Sequence, residues 1–167
     1  MKNTFLKNFI LISFISILVT RLIPHPPNFT PILAAALFAG FYFKNFILGS
    51  FVIIFSMFIG DLYFGLHNTM IFVYISLAAC VILGTYFKNL GFKEIFIGAL
   101  TSSIFFYLVT NFGSWLLLDM YEKNLSGLLH SYILAIPFFQ NTFLSTLFYL
   151  MLIKILFYIF KKKIINT

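Results

Sequence analysis

Residues able to bind a ligand interrupt the apolar runs of this 167-residue chain at a few places. They are amides, imidazoles, hydroxyls, a carboxylate, a guanidinium and an indole, which recognise small molecules by hydrogen bonding and are costly inside a membrane unless paired or solvated. The candidate binding residues are Arg21, His25, Asn28, Thr30, Asp61, His67, Thr110, Asn111, Trp115, Tyr121, His130, Gln140 and Asn141. The chain has no HExxH, GxSxG or P-loop motif and no paired carboxylates within an apolar run. The sequence therefore predicts a binding protein that is not an enzyme and uses no cofactor.

The first polar segment, from Arg21 to Pro31, is rigid, because four of its last eight residues are proline. Proline cannot continue a helix and removes a backbone donor, and a stiff loop has little conformational entropy left to lose. We expect this loop to present Arg21, His25, Asn28 and Thr30 in fixed positions as one wall of a binding site. The alternative is a simple helix break, flanked by an arginine whose side chain reaches the membrane surface.

Asp61 belongs to a second polar segment, from Gly60 to Asn68, that ends an apolar run. A carboxylate at membrane depth needs a partner or solvent, and Arg21 and His67 are the natural partners. Two interpretations stay open at this point. Asp61 forms an ion pair that locks two loops, or it contacts the ligand directly.

A third polar group lies at the end of a long apolar run and in the segments after it. Thr110 and Asn111 stand out, since amides within a bilayer usually bond another helix or a ligand. Trp115, the only tryptophan, is either an interfacial anchor or a ring that stacks on a planar ligand. Gln140 and Asn141 enter the membrane just after a proline. Together these residues predict a polar crown over an aromatic cavity.

The elements that position these residues are membrane spans. Hydrophobic residues make up 62% of the chain and charged residues 9%, whereas soluble domains contain roughly 25% charged residues. We predict an all-α, polytopic membrane protein, with residues 1–167 forming a single integral-membrane domain built as a compact bundle of about six transmembrane helices. The expected spans are Phe5–Thr20, Ile32–Phe43, Phe46–Gly60, Thr69–Phe87, Glu94–Leu118 and Phe138–Phe160.

Two of these spans are short, and the last would be too long if its helix continued through the apolar piece before it. The second and third fall below the roughly 20 residues that cross a bilayer, so they must be tilted, packed inside the bundle or extended into their flanks. A single helix from Leu128 to Phe160 would be about 50 Å long and would overshoot the bilayer. We therefore expect a break at Pro137, with the short apolar piece from His130 to Pro137 lying at the surface or folding over the end of the bundle.

The basic residues set the orientation, because they concentrate on the cytoplasmic side of membrane proteins. With a cytoplasmic N-terminus, nine basic residues fall inside and two, Arg21 and Lys123, fall outside. We expect a multi-pass protein of the cell inner membrane with both termini cytoplasmic and the binding site facing the periplasm or outside. No nucleic-acid partner is expected, since the lysines are scattered singly apart from 161–163.

Small residues indicate close helix packing in the second span. Ala35 and Ala39, with Ala36 and Gly40, form two overlapping small-xxx-small pairs. They either pack an internal helix or dock a partner membrane protein. The single cysteine, Cys80, is interpreted as a small packing residue, with a thiolate ligand as the alternative.

Several stretches carry a resemblance to a known family. They are RLIPHPPNFTPILAAALFAGF (Arg21–Phe41), TMIFVYISL, SSIFFYLVTNFGSWL, MYEKNLSGLLHSYILAIPFFQNT and the loop around Asp61. The chain resembles, over nearly its whole length, the DUF6580 family of bacterial membrane proteins of unknown function. In size and layout that family is similar to the substrate-binding S components of energy-coupling-factor (ECF) transporters.

The resemblance implies a six-helix membrane unit that captures a vitamin or a metal ion from outside. S components dock on a shared transmembrane subunit with two ATPases and tilt in the membrane to release the substrate. Their AxxxA signature lies on the first helix, whereas Ala35 and Ala39 lie on the second span here. Our primary prediction is an S-component-like transport protein that binds a small solute such as a vitamin or its precursor. The alternatives are a transition-metal uptake protein that uses His25, His67 and His130, and a non-transport membrane subunit whose polar crown binds another protein.

Overall fold

The computed structural model describes residues 23–165 together with Ile15 and Val19, with side chains as far as Ile159. These residues form six α-helices and no β-strand. The helices are α1 (Ile32–Phe43), α2 (Phe46–Phe64), α3 (Met70–Thr85), α4 (Phe92–Leu117), α5 (Leu125–Leu134) and α6 (Ile136–Ile165). The all-helical prediction is confirmed for this part of the chain. The first expected span, Phe5–Thr20, lies outside it except for Ile15 and Val19, which are helical.

Helix α1 lies at the centre of the bundle. Its first nine residues, Ile32 to Gly40, are all buried, and it contacts α2, α3, α4 and α6. Its 12 residues give a length of about 18 Å, well short of the roughly 30 Å of a bilayer core. Of the possibilities open to a short span, packing inside the bundle is the one observed for α1. The third expected span extends into its flank instead, because α2 continues to Phe64.

Helices α1 and α3 cross at two glycines, which let the two backbones touch. A Cβ atom on Gly40 would overlap the Val81 carbonyl oxygen, and one on Gly84 would overlap the Leu37 carbonyl oxygen. The obstacle is backbone in both cases, so no rotamer change could make room. Gly40 belongs to the predicted small-residue stripe. Together with Gly84 on α3 it allows the two helices to pack in backbone contact.

Among the described residues, three helices are long and apolar enough to cross a membrane: α2 over Phe46–Phe64, α4 over Phe92–Leu117 and α6 over Ile136–Ile159. They expose many large apolar side chains, among them Ile47 on α2, Ile97 on α4 and Ile155 on α6. A soluble monomer rarely shows apolar surface on this scale, whereas lipid accommodates it. The architecture is therefore consistent with a membrane location.

The break predicted near Pro137 is present. Helix α5 ends at Leu134, Ala135 is a single non-helical joint, and α6 begins at Ile136. Pro137 is the second residue of α6, where a missing backbone donor costs nothing because the first turn of a helix has no internal acceptor for it. The apolar piece before the break is itself helix α5, which packs on α4 and α6.

Lys44 ties the end of α1 to the end of α3. Its backbone is left-handed (φ 51°), and its amide donates to the Gly40 carbonyl. Its Nζ donates to the Thr85 carbonyl at 2.8 Å and also to the Phe87 carbonyl. A cation on the last carbonyls of a helix satisfies acceptors that have no partner within the helix and complements the helix dipole.

Replacing Lys44 with methionine should lower stability by about 1 kcal/mol, because the α3 carbonyls lose their cationic donor. The melting temperature should fall by roughly 3 °C for a chain of this size. It can be followed with a thiol-reactive dye, since Cys80 is the only cysteine and is buried. Lys88→Met is the matched control, because Lys88 is exposed and follows Phe87 directly. Equal shifts in the two variants would contradict the capping role of Lys44.

Candidate functional site

A cavity of about 330 Å³ lies where α4, the α5–α6 joint and two loops meet. Its lining, among the described residues, is Asn28, Val73, Phe106, Tyr107, Thr110, Asn111, Ser114, Leu118, Met120, Tyr121, Leu134, Ala135, Phe138, Phe139 and Thr142. The size lies within the range of small-molecule sites, and the mixture of aromatic rings with a few polar groups is typical of them.

The proline-rich loop is fixed on α6 and contributes Asn28 to the cavity. Asn28 has a left-handed backbone (φ 63°), a conformation that asparagine tolerates better than most residues. The Asn141 amide Nδ2 donates to the Pro27 carbonyl at 2.9 Å, and the Ser145 hydroxyl lies 3.4 Å from the Asn28 carbonyl. Phe29 packs beside Phe148, with ring centroids 6.3 Å apart. These contacts hold the loop by its backbone and leave the Asn28 side chain at the cavity.

The α4 wall consists of one polar stripe. Thr110, Asn111 and Ser114 face the cavity, and each also bonds a carbonyl one turn earlier in its own helix. The spacing of four residues between Thr110 and Ser114 places both hydroxyls on one helix face. Their polar atoms are thus paired within the helix while their outer faces remain available to a ligand.

A short loop, residues 118–124, closes the cavity from the end of α4. The Trp115 indole donates to the Glu122 carbonyl at 2.9 Å, and Lys123 Nζ donates to the Trp115 and Leu118 carbonyls at 2.5 and 2.6 Å. The Asn124 side chain accepts from the Gly127 amide and so caps α5. These bonds hold Leu118, Met120 and Tyr121 against the cavity.

Aromatic rings form the remaining walls. The Tyr107 hydroxyl donates to the Tyr132 carbonyl at 2.7 Å, near the end of α5. The Tyr107 ring lies 5.5 Å from the Tyr132 ring and 5.4 Å from the Phe139 ring. Because Phe138 and Phe139 stand in the first turn of α6, the one-residue joint at Ala135 sets where these rings lie. Helix α4 and the α5–α6 joint are therefore connected directly behind the cavity.

The chain matches the profile of DUF6580, a family of unknown function, over residues 2–167. It belongs to this family. The comparisons with curated proteins and with solved structures give no match.

Four of the binding residues predicted in this DUF6580 chain line the cavity together. They are Asn28, Thr110, Asn111 and Tyr121, which come from two loops and from α4. Asn141 does not line the cavity, but its side chain holds the proline-rich loop in place. Thr30 follows in the same loop and is half-buried. Arg21 lies outside the described residues.

The placement of Asp61 corrects the expectation of a loop residue at the mouth of the site. Asp61 lies within the last turn of α2, is 0% exposed, and does not line the cavity. The Tyr74 hydroxyl of α3 donates to its Oδ2 atom at 2.7 Å. This hydrogen bond links α2 to α3. The ion pair with Arg21 stays a prediction, because Arg21 lies outside the described residues.

The remaining candidates lie elsewhere. Trp115 is half-buried and commits its N–H to the loop carbonyl, so it anchors the loop and lies beside the cavity. Four polar side chains are exposed and do not line the cavity: His25, His67, His130 and Gln140. Within the described part of the chain, no group of three or more His, Cys, Asp or Glu side chains is placed to hold a metal ion. The three imidazoles therefore do not converge.

The small residues suggested for partner docking are inside the protein. Ala35 is 8% exposed, Ala39 1%, and Gly40 packs on α3. They serve the internal alternative, helix packing, and are not on a surface that a partner could reach. Cys80 is also buried, at 1% exposure, within the same core.

Sequence reasoning missed several residues that line the cavity. Ser114 and Thr142 supply hydroxyls, and four aromatic residues supply most of the walls: Phe106, Tyr107, Phe138 and Phe139. Ser114 could have been found, because it follows Thr110 by four residues on a helix. The aromatic residues could not, since the chain has 25 phenylalanines and their number alone distinguishes none of them.

Proposed function

We propose that this protein is a membrane transport component that binds a small solute in the cavity between α4, the α5–α6 joint and the proline-rich loop. The observation that carries the proposal is the lining itself: neutral polar groups stand beside aromatic rings in a space of about 330 Å³. The loops around it are fixed by hydrogen bonds to neighbouring helices and backbone. A site held in place before the ligand arrives loses little entropy on binding.

The finer parts of the proposal extend the sequence argument. The chain crosses the inner membrane about six times, keeps both termini in the cytoplasm, and opens its cavity to the periplasm or the outside. It acts as an S-component-like unit that captures a vitamin or a related precursor. The energy for release comes from an ECF-type transmembrane subunit with its ATPases. The lysine distribution supports the orientation. The S-component-like role and the ECF-type partner rest on the resemblance described for the sequence.

Identification of the bound compound tests the proposal. The protein should be purified in a mild detergent, denatured, and the released small molecules analysed by mass spectrometry and elemental analysis. We expect one organic compound at close to one equivalent. A stoichiometric transition metal, or an empty protein whose cavity variants behave like the parent, would contradict it.

Asn111→Ala should weaken binding of the co-purified compound about tenfold or more. Removing one partner of a buried hydrogen bond costs about 1–3 kcal/mol, and 1.4 kcal/mol corresponds to a factor of ten. Calorimetry on the emptied protein gives the dissociation constant. Asn68→Ala removes the same amide from an exposed loop position and serves as the control. Equal affinity in both variants would remove Asn111 from the site.

The topology can be tested separately with reporter fusions. Fusions after Lys44, after Lys88 and at the C-terminus should report the cytoplasm. Fusions near Asn68 and Asn124 should report the outside, because the basic residues concentrate on the opposite side. Inverted signals at two or more of these positions would overturn the proposed orientation of the cavity.

A further inference from the structure

The hydroxyl groups with which α4 and α6 line the cavity already donate their protons to backbone carbonyls. Thr110 donates to the Phe106 carbonyl at 2.7 Å, Ser114 to the Thr110 carbonyl at 3.0 Å and Thr142 to the Phe138 carbonyl at 2.8 Å. A carbonyl oxygen can only accept, so in each pair the proton must come from the hydroxyl. This bonding to the preceding turn is common for serine and threonine in apolar helices.

These hydroxyls can offer a ligand only their lone pairs. A hydroxyl has one donor and two acceptor positions, so a committed proton leaves acceptors alone. The Tyr107 hydroxyl is committed in the same way, to the Tyr132 carbonyl at 2.7 Å. Asn111 spends one N–H on the Tyr107 carbonyl at 2.8 Å and keeps its second N–H as a donor and its amide oxygen as an acceptor. The walls formed by α4 and α6 are thus rich in acceptors.

No lining side chain in the described part of the chain carries a formal charge. An anion bound there would face lone pairs without a cation to compensate for its lost hydration. A donor such as an N–H group would find several acceptors in reach. An ammonium group would also be attracted by the faces of the surrounding aromatic rings.

From this arrangement we infer that the ligand is a hydrogen-bond donor, an amine or an amide on a ring-sized apolar body, and is not a carboxylate or a phosphate. The donor group lies against the α4 and α6 hydroxyls, and the apolar body lies among Phe106, Phe138 and Phe139. Asn28 and Tyr121, the polar residues of the two loops, can also donate, so any acceptor of the ligand points toward the loops. This inference rests on the proposed binding function and specifies its substrate class.

Three probes with one carbon skeleton test the inference: 3-phenylpropylamine, 3-phenylpropanamide and 3-phenylpropanoate. Binding to the purified, emptied protein can be followed by the emission of Trp115, which is the only tryptophan and is adjacent in sequence to Ser114. The amine and the amide should bind at least about tenfold more tightly than the carboxylate, as expected from unpaired buried charge. A carboxylate that binds as tightly as the amine, or a series in which none binds, would overturn the inference. The proposed function is judged separately, by the co-purified compound.

A pair of isosteric variants locates the acceptor. Thr142→Val removes a hydroxyl from the cavity wall. Thr146→Val removes an equivalent hydroxyl one turn later, which donates to the Thr142 carbonyl at 2.7 Å and does not line the cavity. Both side chains are buried, at 4% and 0% exposure, so any folding penalty should be similar. Affinity for 3-phenylpropylamine should fall about fivefold in Thr142→Val and stay unchanged in Thr146→Val. Equal behaviour of the two variants would contradict the acceptor role of the wall.

Discussion

Gly84→Ala should destabilise the protein by about 3 kcal/mol or more, at the upper end of what overpacking costs. The new methyl group would overlap the Leu37 carbonyl oxygen of α1, with the Leu37 Cα also in contact range. Since both obstacles are backbone atoms, the overlap can be removed only if α1 and α3 separate along their whole contact. That contact includes the completely buried residues Leu37, Leu77 and Val81. The gain in helix propensity from glycine to alanine, about 1 kcal/mol, is too small to compensate.

The same substitution at Gly49 is the matched control. Gly49 is helical and buried, but its added methyl would overlap only a side-chain atom, Cγ1 of Val81, and would lie at ordinary contact distance from the Ala39 backbone. Gly49→Ala should therefore cost much less than Gly84→Ala. The reaction of a thiol-specific dye with Cys80, one turn from Gly84, gives the unfolding midpoint in detergent. If the two variants melt together, the close backbone crossing is not what holds α1 to α3.

Thr110→Phe should abolish ligand binding while leaving the fold intact. Thr110 lies on the cavity wall and is half-buried, so a phenyl ring at this position extends into the space that the ligand needs. Sites of this kind bury most of the ligand surface, so filling one should reduce affinity by about a hundredfold or more. The measurement is retention of the co-purified compound, followed by calorimetry on the emptied protein.

Thr101→Phe provides the control for this variant. Thr101 is on the same helix but exposed, so its phenyl ring would point away from the core. It should retain the compound, and both variants should keep the dye reaction of Cys80 close to that of the parent. A Thr110→Phe protein that still carries the compound would show that the ligand binds elsewhere.

Part of the candidate site was predictable from the sequence, because polar side chains within apolar runs are conspicuous. Thr110, Asn111 and Asn28 were predicted as binding residues on this ground, and all three line one cavity. The break before α6 was predictable as well, since Pro137 forbids a continuous helix. The small-residue stripe of α1 indicated close packing, although not its partner Gly84.

Which face of each helix points into the protein was not predictable. In a soluble helix the polar face marks the outside, but here both the lipid-facing and the inward faces are apolar. On α4, for example, the apolar Ile104 is exposed and the polar Ser103 next to it is buried. Hydropathy alone therefore does not tell which face of the helix points inward. Asp61 was misplaced for a related reason: its partner Tyr74 belongs to another helix, and only the folded arrangement brings the two together. Trp115 likewise became a loop anchor through a contact with Glu122 that composition cannot reveal.

The short central helix has a consequence for the path of a solute. The Phe43 end of α1 carries Lys44, whose charge favours the headgroup level. If that end lies at the membrane surface, the Pro31 end lies about 12 Å below the opposite surface, since 12 residues cover about 18 Å of a core of roughly 30 Å. The proline-rich loop and the cavity would then stand at the floor of a vestibule recessed into the bilayer. A solute bound there would have covered about two fifths of the crossing before any part of the protein moved.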